Sequence, residues 1–182
     1  MWQGLSRATP IVIVAAIALA SCGRPSPTPA VASPPAAAAV DSSQSSCPIT
    51  RGQQPQFIPR LPQATTPPGG EFWYGTAALW TALPNSGAWP DLPYERGSYV
   101  QKVFWWSEGY DRSSEPLPAL SVDGARLDGP AKSLAASTAT NAFGPDIGSA
   151  MLVLIQIPAS GCWRITGHYR TASLSFVVWI PN

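Results

Sequence analysis

The chain has 182 residues, with 11 basic and 10 acidic side chains and a formal net charge of +1. Its two lysines and scattered arginines form no basic run, so nucleic acid is not a predicted partner. With three cysteines and one histidine, the chain has little material for a zinc site or a histidine-dependent triad. We therefore predict no catalytic residue, no metal and no cofactor.

Residues 1–21 have the arrangement of an export signal. A short leader whose one charged side chain is Arg7 precedes a ten-residue apolar run, 11–20, and about 20 apolar residues are needed to span a bilayer. The run ends in Leu19-Ala20-Ser21-Cys22, which resembles the lipobox of bacterial lipoprotein signal peptides. The resemblance implies cleavage before Cys22, lipid attachment to its thiol, and an extracytoplasmic protein anchored to the cell membrane or outer membrane. An ordinary signal peptide cleaved near Ala20 is the alternative.

Residues 22–46 are predicted to form a lipidated, disordered tether. They are rich in Pro, Ala and Ser and hold too few large apolar residues to fold. Proline-rich sequence of this kind extends by about 3.1 Å per residue. The folded domain is predicted over residues 47–182 with a proline-rich leading segment, of which residues 51–70 are expected to form a strand or loop that wraps around it.

Beyond residue 70 the sequence is typical of an all-β protein. Short runs rich in Trp, Tyr, Val, Ile and Thr are separated by Pro, Gly and Asp-Gly. We predict a tight hairpin turn at Asp123-Gly124 and an antiparallel hairpin of the last two strands, with Trp163, Ile165 and Tyr169 facing inwards. The predicted strands cover residues 72–83, 99–106, 120–122, 125–127, 150–157, 162–169 and 174–180.

The end of the chain carries two resemblances. Residues 160–166, Ser-Gly-Cys-Trp-Arg-Ile-Thr, resemble the turn and penultimate strand of immunoglobulin-like domains. The stretch 149–179, with Tyr74-Gly75, Leu79-Trp80, Phe104-Trp105-Trp106 and residues 126–130, is similar to a group of uncharacterised bacterial exported proteins. These resemblances imply a single immunoglobulin-like antiparallel β-sandwich and no particular activity.

Cys47 and Cys162 are the pair that remains once Cys22 is assigned to lipid. Oxidising compartments favour disulfides, so we predict a bond between them. A catalytic redox pair would need close spacing and a lowered thiol pKa, which makes the structural role the better interpretation.

Aromatic residues are concentrated between positions 72 and 110, where 11 of 39 residues are Phe, Trp or Tyr. Neighbouring residues of a strand face opposite sides, so Trp105 and Trp106 should place one ring in the core and one towards solvent or a partner. Core filling by large rings is the favoured interpretation of this stretch. The alternative is a binding surface that includes Trp89, Trp105 or Trp106 with Tyr94 and Tyr110, and we predict that at least one of the three tryptophans is exposed.

Taken together, these patterns predict a lipid-anchored, non-catalytic binding or envelope-structural protein. Its predicted partners are the membrane, through the anchor, and a polysaccharide or an envelope protein. One alternative is a carbohydrate-binding module with exposed aromatics. Another is a glycoside hydrolase, which needs two converging carboxylates such as Asp91 with Glu95 or Glu108 with Asp111. The single histidine, His168, is predicted to be a solvated strand residue.

Overall fold

A computed structural model of the protein describes residues 44–60, 67 and 69–182. The predicted signal peptide, Cys22 and the predicted tether up to residue 43 lie outside the described residues. A 3-10 turn at Gln44–Ser46 precedes ten β-strands, and the described residues contain no α-helix. The strands are β1 (Glu71–Thr76), β2 (Leu79–Pro84), β3 (Tyr94–Glu95), β4 (Ser98–Trp106), β5 (Leu120–Arg126), β6 (Ala135–Ala136), β7 (Thr140–Gly144), β8 (Gly148–Ile157), β9 (Gly161–Tyr169) and β10 (Ala172–Ile180).

Two antiparallel sheets pack face to face, which confirms the prediction of an all-β sandwich. In the large sheet β1, β2, β4 and β8 follow one another, with β3 beside β4 and with β6 and β7 beside β8. The small sheet has the order β10-β9-β5. Trp105 and Val153 of the large sheet meet Trp163 and Phe176 of the small sheet in one buried core. The immunoglobulin-like topology stays a prediction.

The predicted hairpin of the last two strands is confirmed. β9 and β10 pair from Gly161↔Ile180 to Tyr169↔Ala172. Trp163, Ile165 and Tyr169 are buried, as predicted. Gly167 lies on the same face, where an added Cβ would approach the Trp105 ring to 2.6 Å. The glycine therefore makes room for a large ring between the two sheets.

The single strand predicted over residues 72–83 is wrong. Those residues form β1 and β2, which pair as a hairpin across Ala77-Ala78. Gly75 permits this path, because its φ is +132° and a Cβ there would lie 2.4 Å from the carbonyl oxygen of Leu79. The turn itself contains no Gly, Pro, Asn or Asp, the residues from which turns are recognised.

The hairpin predicted at Asp123-Gly124 is also wrong, because both residues lie inside the continuous strand β5. Gly124 pairs with Ile165 in the β5–β9 ladder. A Cβ on Gly124 would lie 2.3 Å from the Leu134 side chain and 2.7 Å from the carbonyl oxygen of Arg164. The glycine serves close packing inside the strand rather than a turn.

The leading segment wraps the sandwich as expected. The Cys47–Cys162 disulfide is present, with a Cα–Cα distance of 5.5 Å, and this confirms the predicted pairing. Farther along, the Thr50 N–H donates to the carbonyl oxygen of Val177 in β10 over 2.9 Å. Phe57 then packs edge-on against Trp80, with ring centroids 5.8 Å apart. The described part, residues 47–60, therefore runs from the edge of the small sheet to the outer face of the large sheet.

Candidate functional site

The outer face of the large sheet carries an apolar layer of its own. Trp73, Trp80, Trp106 and Ala150 form this outer cluster, and Phe57 of the leading segment packs against it. Trp73 and Trp106 make an edge-to-face contact at 5.1 Å, a geometry that aromatic pairs favour. The Trp106 indole N–H donates to the carbonyl oxygen of Ile147 over 2.9 Å. The sheet is thus buried on both faces around Trp106.

The expectation that at least one of three tryptophans is exposed is wrong. Trp105 and Trp106 do point to opposite faces, but Trp89, Trp105 and Trp106 are 7%, 0% and 5% exposed. Trp89 and Trp105 both contact Phe176 in the core, while Trp106 is enclosed in the outer cluster. None of these rings presents a face on which a sugar could stack.

The two predicted tyrosines differ from each other. Tyr110 is buried and packs edge-on against Tyr169. Tyr94 is 63% exposed and contacts the ring of Tyr99 at 5.0 Å. Of the five predicted binding residues, Tyr94 alone presents a large exposed surface.

A seam opens between β2 and β4 because their ladder is short. The two strands pair at Trp80↔Trp106 and Thr81↔Trp105. Beyond these pairs the chain that follows β2 crosses to the small sheet, where the Trp89 N–H donates to the carbonyl oxygen of Trp179 over 3.0 Å. Where the ladder ends, the buried Thr81 hydroxyl donates to the carbonyl oxygen of Phe104 over 2.8 Å.

A cleft of about 210 Å³ occupies this seam. Its walls include Phe104 and Trp106 from the outer side of the sheet and Trp89 and Val103 from the core side. Both layers contribute to the lining, so the cleft passes between the strands. The complete lining is Glu71, Ala82, Trp89, Gln101, Lys102, Val103, Phe104, Trp106 and Ile147.

Three polar side chains line the cleft. Burial raises the pKa of the Glu71 carboxyl above its ordinary value, because water is withdrawn from its charged form. No ion pair between described residues involves Glu71. Lys102 is exposed, and its backbone N–H donates to the Gln101 side-chain oxygen over 3.0 Å. The cleft therefore combines apolar walls with a partly desolvated carboxylate.

A second polar cluster holds a loop onto the sandwich. The Tyr169 hydroxyl donates to Glu115 over 2.6 Å, and Arg170 donates to the same oxygen over 3.1 Å. The bond from Tyr169 holds the pKa of Glu115 below its usual range. Burial, with the Glu115 bond next in importance, raises the pKa of Tyr169 to about 12. These contacts join the loop before β5 to the end of β9, which is a structural role.

The remaining candidate groups are dispersed at the surface. Asp91, Glu95, Glu108 and Asp111 are all exposed. A shallow hollow of about 360 Å³ beside Trp89 contains one carboxylate, Asp91, in its lining. In the part of the chain that the structure describes, no group of three His, Cys, Asp or Glu residues is placed to hold a metal.

His168 is exposed and lies 3.0 Å from Asp123 across the β5–β9 ladder. The predicted solvated histidine is therefore confirmed. Glu71, Gln101 and Lys102, which line the cleft, have no sequence pattern that singles them out. Phe104 lies within the aromatic-rich stretch, but nothing in the sequence indicates that it borders an opening in the sheet.

No family model, curated protein or solved structure matches this chain. Among the described residues, none forms a helix long and apolar enough to cross a membrane.

Proposed function

We propose that this protein is a lipid-anchored, extracytoplasmic binding domain without catalytic activity, and that it engages a protein of the cell envelope through the cleft between β2 and β4. Leu19-Ala20-Ser21-Cys22 supports the anchor. We take the proline-rich residues 22–43 as the tether, which would span roughly 70 Å at about 3.1 Å per residue.

The observation that carries the proposal is the cleft itself. A sandwich that served only as a spacer would gain stability from a continuous β2–β4 ladder. In this sheet the ladder ends at the pair Thr81↔Trp105, and the two strands do not pair beyond it. Apolar walls with a few polar groups are the usual composition of a binding site. A protein ligand is favoured over a sugar, because Trp89 and Trp106 are only 7% and 5% exposed and leave a sugar little ring surface on which to stack.

Catalysis by a carboxylate pair has no support from this geometry. Glycoside hydrolysis needs two carboxyl groups roughly 5 to 10 Å apart on either side of the scissile bond. The cleft contains one carboxyl group, from Glu71. We therefore propose binding without turnover.

Photo-crosslinking in cells that express the full chain tests the proposed site. A photoreactive amino acid in place of Lys102, at the rim of the cleft, should capture an envelope protein. The same group in place of Ser173, exposed on the small sheet, is the control and should not. Filling the cleft with Ala82→Phe should abolish the Lys102 crosslink. A crosslink of equal yield from both positions, or one that survives Ala82→Phe, would contradict the proposal.

The anchor has a separate test. Intact-mass analysis of the exported protein should find a mature chain that begins at a diacylated Cys22, and Cys22→Ala should release or stall it. Any other first residue on a soluble wild-type protein would contradict the anchor and leave the cleft proposal standing.

A further inference from the structure

The edge of β4 that faces the seam lacks a strand partner over residues 100–104. β3 pairs with Ser98 and Tyr99 at one end, and β2 pairs with Trp105 and Trp106 at the other. Between these points no described strand pairs with that edge, although β8 pairs with the opposite edge throughout. We call residues 100–104 the seam edge.

Along the seam edge, main-chain groups of β4 form hydrogen bonds with a loop carbonyl and with side chains instead of with a strand. The Val100 N–H donates to the carbonyl oxygen of Pro93 over 2.8 Å. The Lys102 N–H donates to the side chain of Gln101, and the carbonyl oxygen of Phe104 accepts from Thr81. A glutamine side chain can rotate away from the main chain, so a strand that approached Lys102 would replace one hydrogen bond with another at little net loss.

An unpaired edge next to a pocket is the arrangement that strand addition requires. In that recognition mode an extended peptide adds to a sheet edge about 4.8 Å away, its main chain supplies affinity, and a pocket receives an alternate side chain. The cleft lies directly beside the seam edge, since Gln101, Lys102, Val103 and Phe104 line it.

The size of the cleft decides between a small molecule and a peptide. Pockets for drug-sized ligands measure roughly 300 to 1,000 Å³, whereas this cleft measures about 210 Å³. That volume suits one large side chain. Six of the nine lining residues are apolar, namely Ala82, Trp89, Val103, Phe104, Trp106 and Ile147, which favours an apolar side chain over a charged one.

We infer that an extended segment of a partner polypeptide adds to the seam edge and places one large apolar side chain in the cleft. The inference rests on the proposed function and names the form in which the partner is recognised. Glu71, which has no ion-pair partner among the described residues, can accept a hydrogen bond from a main-chain N–H of the added segment.

The test uses the full-length protein and a library of capped heptapeptides randomised at their three central positions. The strongest binders should carry a large apolar residue at one central position. Replacing that residue with aspartate should weaken binding at least tenfold. Methylation of the alternate peptide nitrogens that face β4 should weaken binding by a similar factor while leaving every side chain in place. Bound peptide should also slow hydrogen exchange at Lys102 and Phe104.

Matched variants locate the binding. Ala82→Phe should abolish peptide binding, and Ala125→Phe, at an exposed position of β5, should leave it unchanged. The inference fails if no library member binds, if N-methylated peptides bind as well as their parents, or if Ala82→Phe has no effect. If the peptides fail while Ala82→Phe still abolishes the Lys102 crosslink in cells, strand addition is wrong and the proposed function stands.

Discussion

The outer faces of the two sheets differ in polarity and burial. On the small sheet, Arg164 and His168 of β9 and Ser173 and Ser175 of β10 point to solvent, and these strands alternate between buried and exposed positions. On the large sheet, the outer cluster of Trp73, Trp80, Trp106 and Ala150 is buried. One sheet is amphipathic, and the other is apolar on both faces around Trp106.

The difference shows why the leading segment belongs to the fold. An amphipathic sheet is complete once its inner face is covered, but the large sheet needs a second cover. Phe57 supplies part of that cover against Trp80, and the Cys47–Cys162 bond ties the same segment to β9. The segment therefore also connects the two sheets.

The largest effect should come from loss of this connection. A bond that closes 115 residues contributes up to about 5 kcal/mol in the chain-entropy model. The double variant Cys47→Ala/Cys162→Ala should lower the free energy of unfolding by several kcal/mol. Because the released segment uncovers the outer cluster, it should also increase acrylamide quenching of tryptophan fluorescence. Urea titration of both proteins measures the stability. A change of less than about 1 kcal/mol with unaltered quenching would show that the cover holds without the bond.

Adjacent tryptophans provide the next comparison. Trp105 lies in the core between the sheets and Trp106 in the outer cluster, and both are buried. Trp105→Ala and Trp106→Ala should therefore each lower stability by about 3 to 5 kcal/mol. Ser173→Ala, on the solvated face of the small sheet, should change it by less than about 0.5 kcal/mol. If Trp106→Ala behaved like Ser173→Ala in urea denaturation, the outer cluster would not be a second core.

The hairpin of β9 and β10 was more predictable from sequence than the burial of the tryptophans in the large sheet. Trp163, Ile165 and Tyr169 alternate with polar residues because only one side of β9 is buried, and the alternation displays that burial directly. Cys47 and Cys162 could be paired by elimination. Where strands are apolar on both faces, as around Trp105 and Trp106, alternation carries no information about burial.

The remaining errors have tertiary causes. The outer cluster that contains Trp106 is partly covered by Phe57, almost fifty positions earlier in the chain. Gly124 lies in a strand because β5 pairs with β9, and it is a glycine because Leu134 and Arg164 approach it too closely for a side chain. The cleft lies where the β2–β4 ladder ends, and the chain after β2 bonds to the other sheet through Trp89 and Trp179. No local pattern records such distant contacts.

A substitution of Glu115 should change stability by an intermediate amount. The pKa of the Glu115 carboxyl is lowered in the folded protein, chiefly by the hydrogen bond from the Tyr169 hydroxyl. The ordinary pKa of this carboxyl is 4.5. The stabilisation that Glu115 contributes is therefore present above pH 4.5 and is lost as the pH falls through the folded pKa. Glu115→Gln should cost about 1 to 3 kcal/mol at pH 7, and the difference from wild type should shrink on acidification below about pH 4.5. Urea denaturation at a series of pH values measures this, and a difference that does not vary with pH would contradict the assignment.

The smallest effect is expected from a substitution of Glu71, which lies in the large sheet where the cleft interrupts the apolar layer. Burial raises its pKa above 4.5, so the protonated form favours the folded state. The contribution of Glu71 to stability should accordingly be greatest below pH 4.5 and be lost as the pH rises through its folded pKa. Glu71→Gln removes the buried charge with little change of shape and should raise stability at pH 7 by up to about 0.5 kcal/mol, a gain that disappears near pH 3. The control, Glu108→Gln at an exposed carboxyl, should give no such gain at pH 7. A Glu71→Gln protein less stable than wild type at pH 7 would mean that the carboxylate is stabilised where it lies. The rim of the cleft would then contribute to stability, contrary to a site whose carboxylate is left without a partner until a ligand binds.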